Sequence, residues 1–241
     1  MTAAELEAIS REIVVCTRCP RLVGWREEVA REPPRRYAGQ RYWARPVPGF
    51  GDPAARLLIV GLAPAAHGGN RTGRIFTGDQ SGDFLFPALH RTGFANQPNS
   101  EHADDGLRVA GAYIAAVNRC CPPDNRPTPT ERDNCLPYLV AEIAALADLR
   151  VLVCLGALAW DGALRALAET HPAPRPRPRF AHGAAAEVGP YRLIGSFHPS
   201  QQNTFTRRLT PAMLDDVLLR ARRAAGLALP AVEDPDVSPG D

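Results

Sequence analysis

The chain of 241 residues contains no lysine; its 28 basic side chains are all arginine. That absence excludes any reaction through a lysine amine, Schiff-base chemistry above all. Codon bias from a GC-rich genome would account for most of this, but its consequence is chemical: arginine presents a planar fork that matches phosphate oxygens in pairs. Excess charge of one sign is also missing, since the net charge is only +2, which argues neither for nor against a nucleic-acid partner. No uninterrupted apolar run approaches the ~18–20 residues of a membrane span. The opening MTAAELEAISREIVVC lacks the basic end and apolar stretch of a signal peptide. The sequence therefore predicts a cytoplasmic protein without a membrane partner, and 45% apolar content predicts a folded one.

Six cysteines stand at 16, 19, 120, 121, 135 and 154. In a reducing compartment such a set points to metal before disulfides. Cys16 and Cys19 form a Cys-x-x-Cys pair, joined far along the chain by Cys120 and Cys135. Four thiolates can hold tetrahedral zinc or a [4Fe–4S] cluster. Zinc ribbons usually carry two short pairs, and the second pair here is long, which favours iron–sulfur. Cys121 could replace Cys120 as a ligand. Cys154, inside the apolar run VLVCLG, reads as a core thiol.

Four short apolar runs, Arg56–Gly61, Tyr113–Asn118, Val151–Gly156 and Arg192–Ser196, predict buried strands. Helical patterns lie near 4–15, 82–92, 130–147, 157–169 and 210–226. Strands alternating with helices predict an α/β fold, a parallel sheet with helices on both faces. Residues 1–228 are expected to form one domain, followed by an acidic, disordered tail over 229–241. The Pro, Gly, Arg and aromatic-rich segment Arg31–Pro53 reads as an irregular arm around the core. The proline–arginine stretch at 171–180 reads as an extended, mobile linker, with contact to a DNA backbone as the alternative.

Ligands of such sheets bind beyond the carboxyl ends of the strands, which singles out 61–83, 118–135 and 196–206. The first loop reads GLAPAAHGGNRTGRIFTGD, and its glycines let backbone approach a ligand. Phe76 in this polar loop suits a ligand platform better than a core position. Asp79 fits either a catalytic carboxylate or the N-cap of the next helix. The second loop, NRCCPPDNRPTPTE, contains Asn125, whose amide offers a donor and an acceptor but equally suits a turn. The third, SFHPSQQN, presents His198 as a hydrogen-bond donor; a structural His-Pro turn is the rival reading. His67 in the first loop has the less secure role of fixing that loop.

GLAPAAHGGNRTGRIFTGD, RCCPPDNRPTP with its downstream cysteine, and FHPSQQN together resemble family 5 uracil-DNA glycosylases, the type B thermophile and actinobacterial enzymes. The resemblance runs from about Cys16 to Met213 and includes YWARPVPGFGDP at 42–53. It implies a three-layer α/β/α sandwich with a central four-stranded parallel sheet. It also implies a [4Fe–4S] cluster on Cys16, Cys19, Cys120 and Cys135. Phe76 falls on the ring that stacks on the flipped base, Asn125 on the residue at the polar edge of uracil, and Asp79 on the acid held to be catalytic. His198 falls on the histidine near the charge that develops on the leaving base. Gly61, Ala63 and His67 are expected to complete the substrate site. Asn70, Arg71, Arg74, Ser200, Gln202 and Asn203 are expected against DNA. Family 4 enzymes begin the first loop with Gly-Glu-Ala-Pro; here Leu62 replaces the glutamate, so Asp79 becomes the candidate for activating water. Without lysine the expected enzyme is monofunctional, acting as a monomer on double-stranded DNA with deaminated bases in a bacterial cytoplasm, near the nucleoid. Two other classes compete. An Fe–S redox sensor would explain the cysteines but not GRIFTGD or HPSQQN, and a non-catalytic binder of damaged DNA is encouraged by Leu62.

Overall fold

A computed structural model describes residues 3–230. Most of the tail, from residue 231 onward, lies outside the described residues. Helices α1 (Ala3–Val14) and α2 (Pro20–Arg31) precede strand β1 (Phe50–Gly51). Then come β2 (Leu57–Gly61), α3 (Gly69–Thr72), α4 (Gln80–Arg91), β3 (Ala112–Ala116), α5 (Pro129–Ala145), β4 (Val151–Leu155) and α6 (Ala157–Ala168). The chain continues with β5 (Ala185–Val188), β6 (Tyr191–Ser196), α7 (Gln201–Thr204) and α8 (Pro211–Ala224). The sheet order is β1-β3-β2-β4-β6-β5. Its four central strands are parallel and are the four apolar runs read from the sequence.

Two antiparallel edge strands extend that expected sheet. Neither carries an apolar run. β1 has two residues inside the arm, and β5 is a mostly exposed segment of small residues turning at Gly189, whose φ is +57°. Helix α2 also lacks an obvious apolar stripe, because one of its three buried positions is Arg26, between Leu22 and Val29.

The central strands are buried on both faces, as continuous apolar runs require. Leu57 and Ile59 of β2 pack with Leu85, Phe86, Leu214 and Leu218 of α4 and α8. Leu58 and Val60 point the other way, to Leu139, Trp160 and Leu164 of α5 and α6. Cys154 is fully buried in that second layer, as expected of a core thiol. Thr128 and Glu131 form a reciprocal capping box at the start of α5, with Pro129 in its first turn. Such a cap stops the second loop and starts the helix at a defined residue.

The arm is tied to the first and second site loops: Trp43 N–H donates to the Arg71 carbonyl at 2.9 Å and Val47 N–H to that of Arg119 at 2.7 Å. The 171–180 stretch does not swing free. Trp160 Nε1 donates to the Pro178 carbonyl at 3.1 Å, Arg177 pairs with Asp161, and Phe180 packs on Trp160. Among the described residues no helix is long and apolar enough to cross a membrane.

Candidate active site

A cavity of about 920 Å³ opens where the loops after β2, β3 and β6 meet. Leu62, Ala63, His67, Phe76 and Asp79 reach it from the first loop, Asn125 from the second, and His198, Ser200 and Gln202 from the third.

Phe76 belongs to the core and the cavity at once. Its ring is 5% exposed and packs in the α4/α8 layer, yet it forms part of the cavity wall. Its backbone takes φ +55°, a conformation that costs a non-glycine residue energy and that surrounding structure must enforce. Gly61 seats the ring: a Cβ there would stand 2.8 Å from Phe76 Cζ. Gly61 thus leaves room for the Phe76 ring and does not itself line the cavity, a correction to its expected place in the substrate site.

His198 lies 6.0 Å from Phe76, ring centre to ring centre, with the planes tilted by 38°. Burial lowers its pKa to about 4, so it is neutral at physiological pH and can donate a hydrogen bond without carrying charge. Its carbonyl accepts from Asn203 Nδ2 at 2.8 Å. Asn203, expected on DNA, holds the turn that carries His198 through this bond.

Asp79 is the N-cap that the sequence allowed, and it faces the cavity as well. Its Oδ1 accepts from Gly82 N–H at 3.0 Å as the N-cap of α4, and the carboxylate also lines the cavity. Burial raises its pKa, outweighing the hydrogen bonds from the Gly82 and Ser81 backbone. Gly68 makes room for it, since a Cβ there would fall 2.0 Å from Asp79 Oδ2. Asn125 follows Asp124 through two successive left-handed residues, φ +53° and +56°, which leave its amide exposed at the rim.

Other expected DNA contacts have structural duties. Asn70 is 1% exposed and donates to the Arg26 carbonyl at 3.2 Å. Arg74 is 7% exposed, paired with Asp105 at 2.6 Å and bonded to Thr77 and Ser100. Neither can reach a phosphate without leaving its buried partners. Arg71 braces the first loop, donating to the carbonyls of His67 (2.7 Å) and Gly78 (2.9 Å). Ser200 and Gln202 remain at the rim. Residues missed in the sequence reach the cavity from the arm: Arg36 and Tyr37 line it, and Tyr42 hydrogen-bonds His67 at 3.0 Å. The signal available for them was the mixture of arginine and aromatic residues between 35 and 45.

None of the six cysteines is in a disulfide. Cys120 interacts electrostatically with Cys16 and Cys135, and Cys135 with Cys16 and Cys19, so these four share one locus between α1, α2 and the start of α5. Among the described residues no three His, Cys, Asp or Glu side chains are gathered so as to hold a single metal ion. Arg26 supplies a more telling observation. Its side chain is 5% exposed and its Nη1 donates to Cys120 Sγ at 3.1 Å, while its Nε has no partner. No carboxylate pairs with it among the described residues. A guanidinium stays charged, and burying it unpaired is costly. Burial pushes the bare Cys120 thiol up to about 11, which would leave Arg26 facing a neutral sulfur. A cationic metal group on the cysteines would keep Cys120 a thiolate and so supply the missing anion. The donor set therefore fits a thiolate-bound cluster.

An α/β sheet with a loop-built cavity at its strand ends, and a locus of four cysteines that joins the N-terminal segment to the second loop and α5, defines a class. Residues 48–222 match the Uracil DNA glycosylase superfamily, and the chain belongs to it. Within the superfamily it belongs with the type-5 uracil-DNA glycosylases. It is 55% identical over 225 residues to the type-5 enzyme of Mycobacterium tuberculosis, covering 92% of this chain and 82% of that one. It is 52% identical to the Mycobacterium leprae enzyme, covering 93% and 98%, and 48% identical to that of Thermus thermophilus, covering 92% and 99%. The type-4 enzyme of Archaeoglobus fulgidus matches at 37% identity over 47% of this chain and 49% of its own.

Proposed function

We propose that the chain hydrolyses the N-glycosidic bond of uracil, and of other deaminated bases such as hypoxanthine, in double-stranded DNA, leaving an abasic site. The convergence of Phe76, Asp79, Asn125 and His198 on one cavity carries this reading. The flipped base stacks on the Phe76 ring, worth roughly 1–3 kcal/mol by analogy with base–aromatic contacts, and offsets part of the unstacking cost. The Asn125 amide meets its polar edge. Water adds to C1′ as the C1′–N bond breaks, the bond electrons leave on the base, and the water's surplus proton ends on the base anion, directly or through solvent. Neutral His198 donates to the oxygen where that charge develops. The Asp79 carboxylate, facing the sugar, orients the water or stabilises the cationic carbon. With no lysine to form an imine, strand cleavage is not part of the reaction.

Cys16, Cys19, Cys120 and Cys135 would hold a [4Fe–4S] cluster, whose contribution is to crosslink the N-terminal helices to the second loop. Arg26, against Cys120, compensates its charge. Residues 1–228 act as one domain and the enzyme as a monomer, in the bacterial cytoplasm close to the nucleoid. The test is alkaline nicking of duplexes carrying uracil, hypoxanthine or xanthine, together with iron analysis. Release of uracil alone would sink the wide specificity; no release of any base would sink the enzyme.

A further inference from the structure

We propose that Tyr42 fixes His67 as an obligate hydrogen-bond donor to the cavity, where it reads the carbonyl that deamination installs on a base. This rests on the reading of the cavity as a site for deaminated bases.

The Tyr42 ring is 8% exposed, and its hydroxyl meets His67 Nδ1 at 3.0 Å. A phenol donates more readily than it accepts, and burial raises the Tyr42 pKa, which keeps the proton on its oxygen. Tyr42 therefore donates and Nδ1 accepts. A neutral imidazole has a single ring proton, which must then reside on Nε2. Burial first, and then the charges of Arg36 and Arg71, lower the His67 pKa and disfavour the imidazolium. The ring cannot readily turn. Tyr42 meets it edge-on at 6.1 Å, Tyr37 lies against it at 5.8 Å, and Arg71 holds the His67 carbonyl at 2.7 Å. With Nδ1 occupied, the polar atom His67 has left for a ligand in the cavity is Nε2–H.

Such a group matches the chemistry of the lesion. Deamination of cytosine to uracil, or of adenine to hypoxanthine, replaces an exocyclic amine, a donor, with a carbonyl, an acceptor. A donor that cannot accept pairs with either carbonyl and meets either parent amine donor to donor. A site built for one hydrogen-bonding pattern discriminates strongly against its reverse, because buried polar groups are left unpaired. Asn125 cannot make this distinction alone, since its amide can present either end. Tyr42 is thus a positioning residue and His67 the reader, serving pyrimidine and purine lesions without selection by ring size.

The test combines ¹⁵N NMR of the His67 ring with single-turnover excision by the full chain. The wild type should show protonated Nε2 and bare Nδ1. Tyr42→Phe, which keeps the ring, should give a mixture of tautomers and about tenfold slower release of both uracil and hypoxanthine. His67→Gln, which can donate or accept, should make release of mispaired cytosine or adenine measurable. If Tyr42→Phe does not fold, the wild-type spectrum and His67→Gln still decide. Protonated Nδ1 in the wild type, a Tyr42→Phe spectrum and rates equal to wild type, or unaltered discrimination in His67→Gln would each overturn the proposal. A wild type inert toward every lesion would instead defeat the glycosylase reading, while the tautomer would still be visible.

Discussion

Asp79 Oδ1 accepts the Gly82 N–H at 3.0 Å while the same carboxylate forms part of the cavity wall, so one side chain caps α4 and faces the cavity in which the proposed chemistry takes place. The two duties can be separated. Asn caps a helix about as well as Asp, whereas Ala costs about 1 kcal/mol. Asp79→Asn should therefore melt close to the wild type, and Asp79→Ala measurably lower. Both should lose excision on the order of a hundredfold or more, with DNA binding near normal. Full single-turnover activity in Asp79→Asn would remove the charge from the mechanism. Because burial raises the Asp79 pKa, the acid limb of the excision profile should lie above the ordinary carboxylate range.

His198 gives a second pH-dependent quantity. Its folded pKa is about 4, below the ordinary value of about 6.5. Between these values the unfolded chain binds a proton that the folded one does not, so stability falls as pH drops through that window. The loss attributable to His198 is at most about 3 kcal/mol. Replacing His198 with Gln should flatten the fall in unfolding free energy from pH 6.5 towards pH 4, while slowing excision at neutral pH. An equally steep fall in the variant would show that His198 is not the buried group responsible.

Iron content tests the cysteine set. Cys16→Ser, Cys19→Ser, Cys120→Ser and Cys135→Ser should each lose iron and visible absorbance, whereas Cys121→Ser should retain both. Arg26→Met should also lower iron occupancy, because it removes the cation hydrogen-bonded to Cys120. Retained iron in Cys120→Ser combined with loss in Cys121→Ser would exchange the two ligands.

Arg74 and Arg36 make a contrasting pair. Although burial alone would raise the Asp105 pKa, hydrogen bonds from Arg74 and from the Leu107 and Glu101 backbone hold it down to about 2. Breaking a buried pair typically costs about 3–5 kcal/mol. Arg74→Met should destabilise by that order, with no change in the salt dependence of DNA binding by the folded protein. Arg36, exposed at the cavity rim, should do the reverse: Arg36→Ala is expected to lower the salt slope by about 1. Salt-titrated binding to an undamaged duplex measures both.

The four central strands and the helices α1, α4, α5, α6 and α8 were legible because their signals are local: short apolar runs, helical periodicity, and a cap candidate such as Asp79. The edge strands were not, since β5 has no apolar alternation and becomes a strand through pairing with β6. Helix α2 was hidden because Arg26 occupies a core-facing position usually apolar. Within the site, loop sequence marked Phe76, Asp79, Asn125 and His198, and all four reach one cavity. It did not distinguish arginine and asparagine side chains facing outward from those facing in. Asn70 and Arg74 look like surface residues until Arg26 and Asp105 are placed beside them.

Composition and local pattern alone determined the absence of lysine chemistry, the alternation of strand and helix, and which strand ends carry unusual loops. These depend on residues close in sequence. Which side chains would become partners was decided by tertiary structure, because Tyr42 with His67 and Arg26 with Cys120 are separated by 25 and 94 positions. Burial then set the protonation of His198 and His67, through a desolvation energy that a linear chain does not possess.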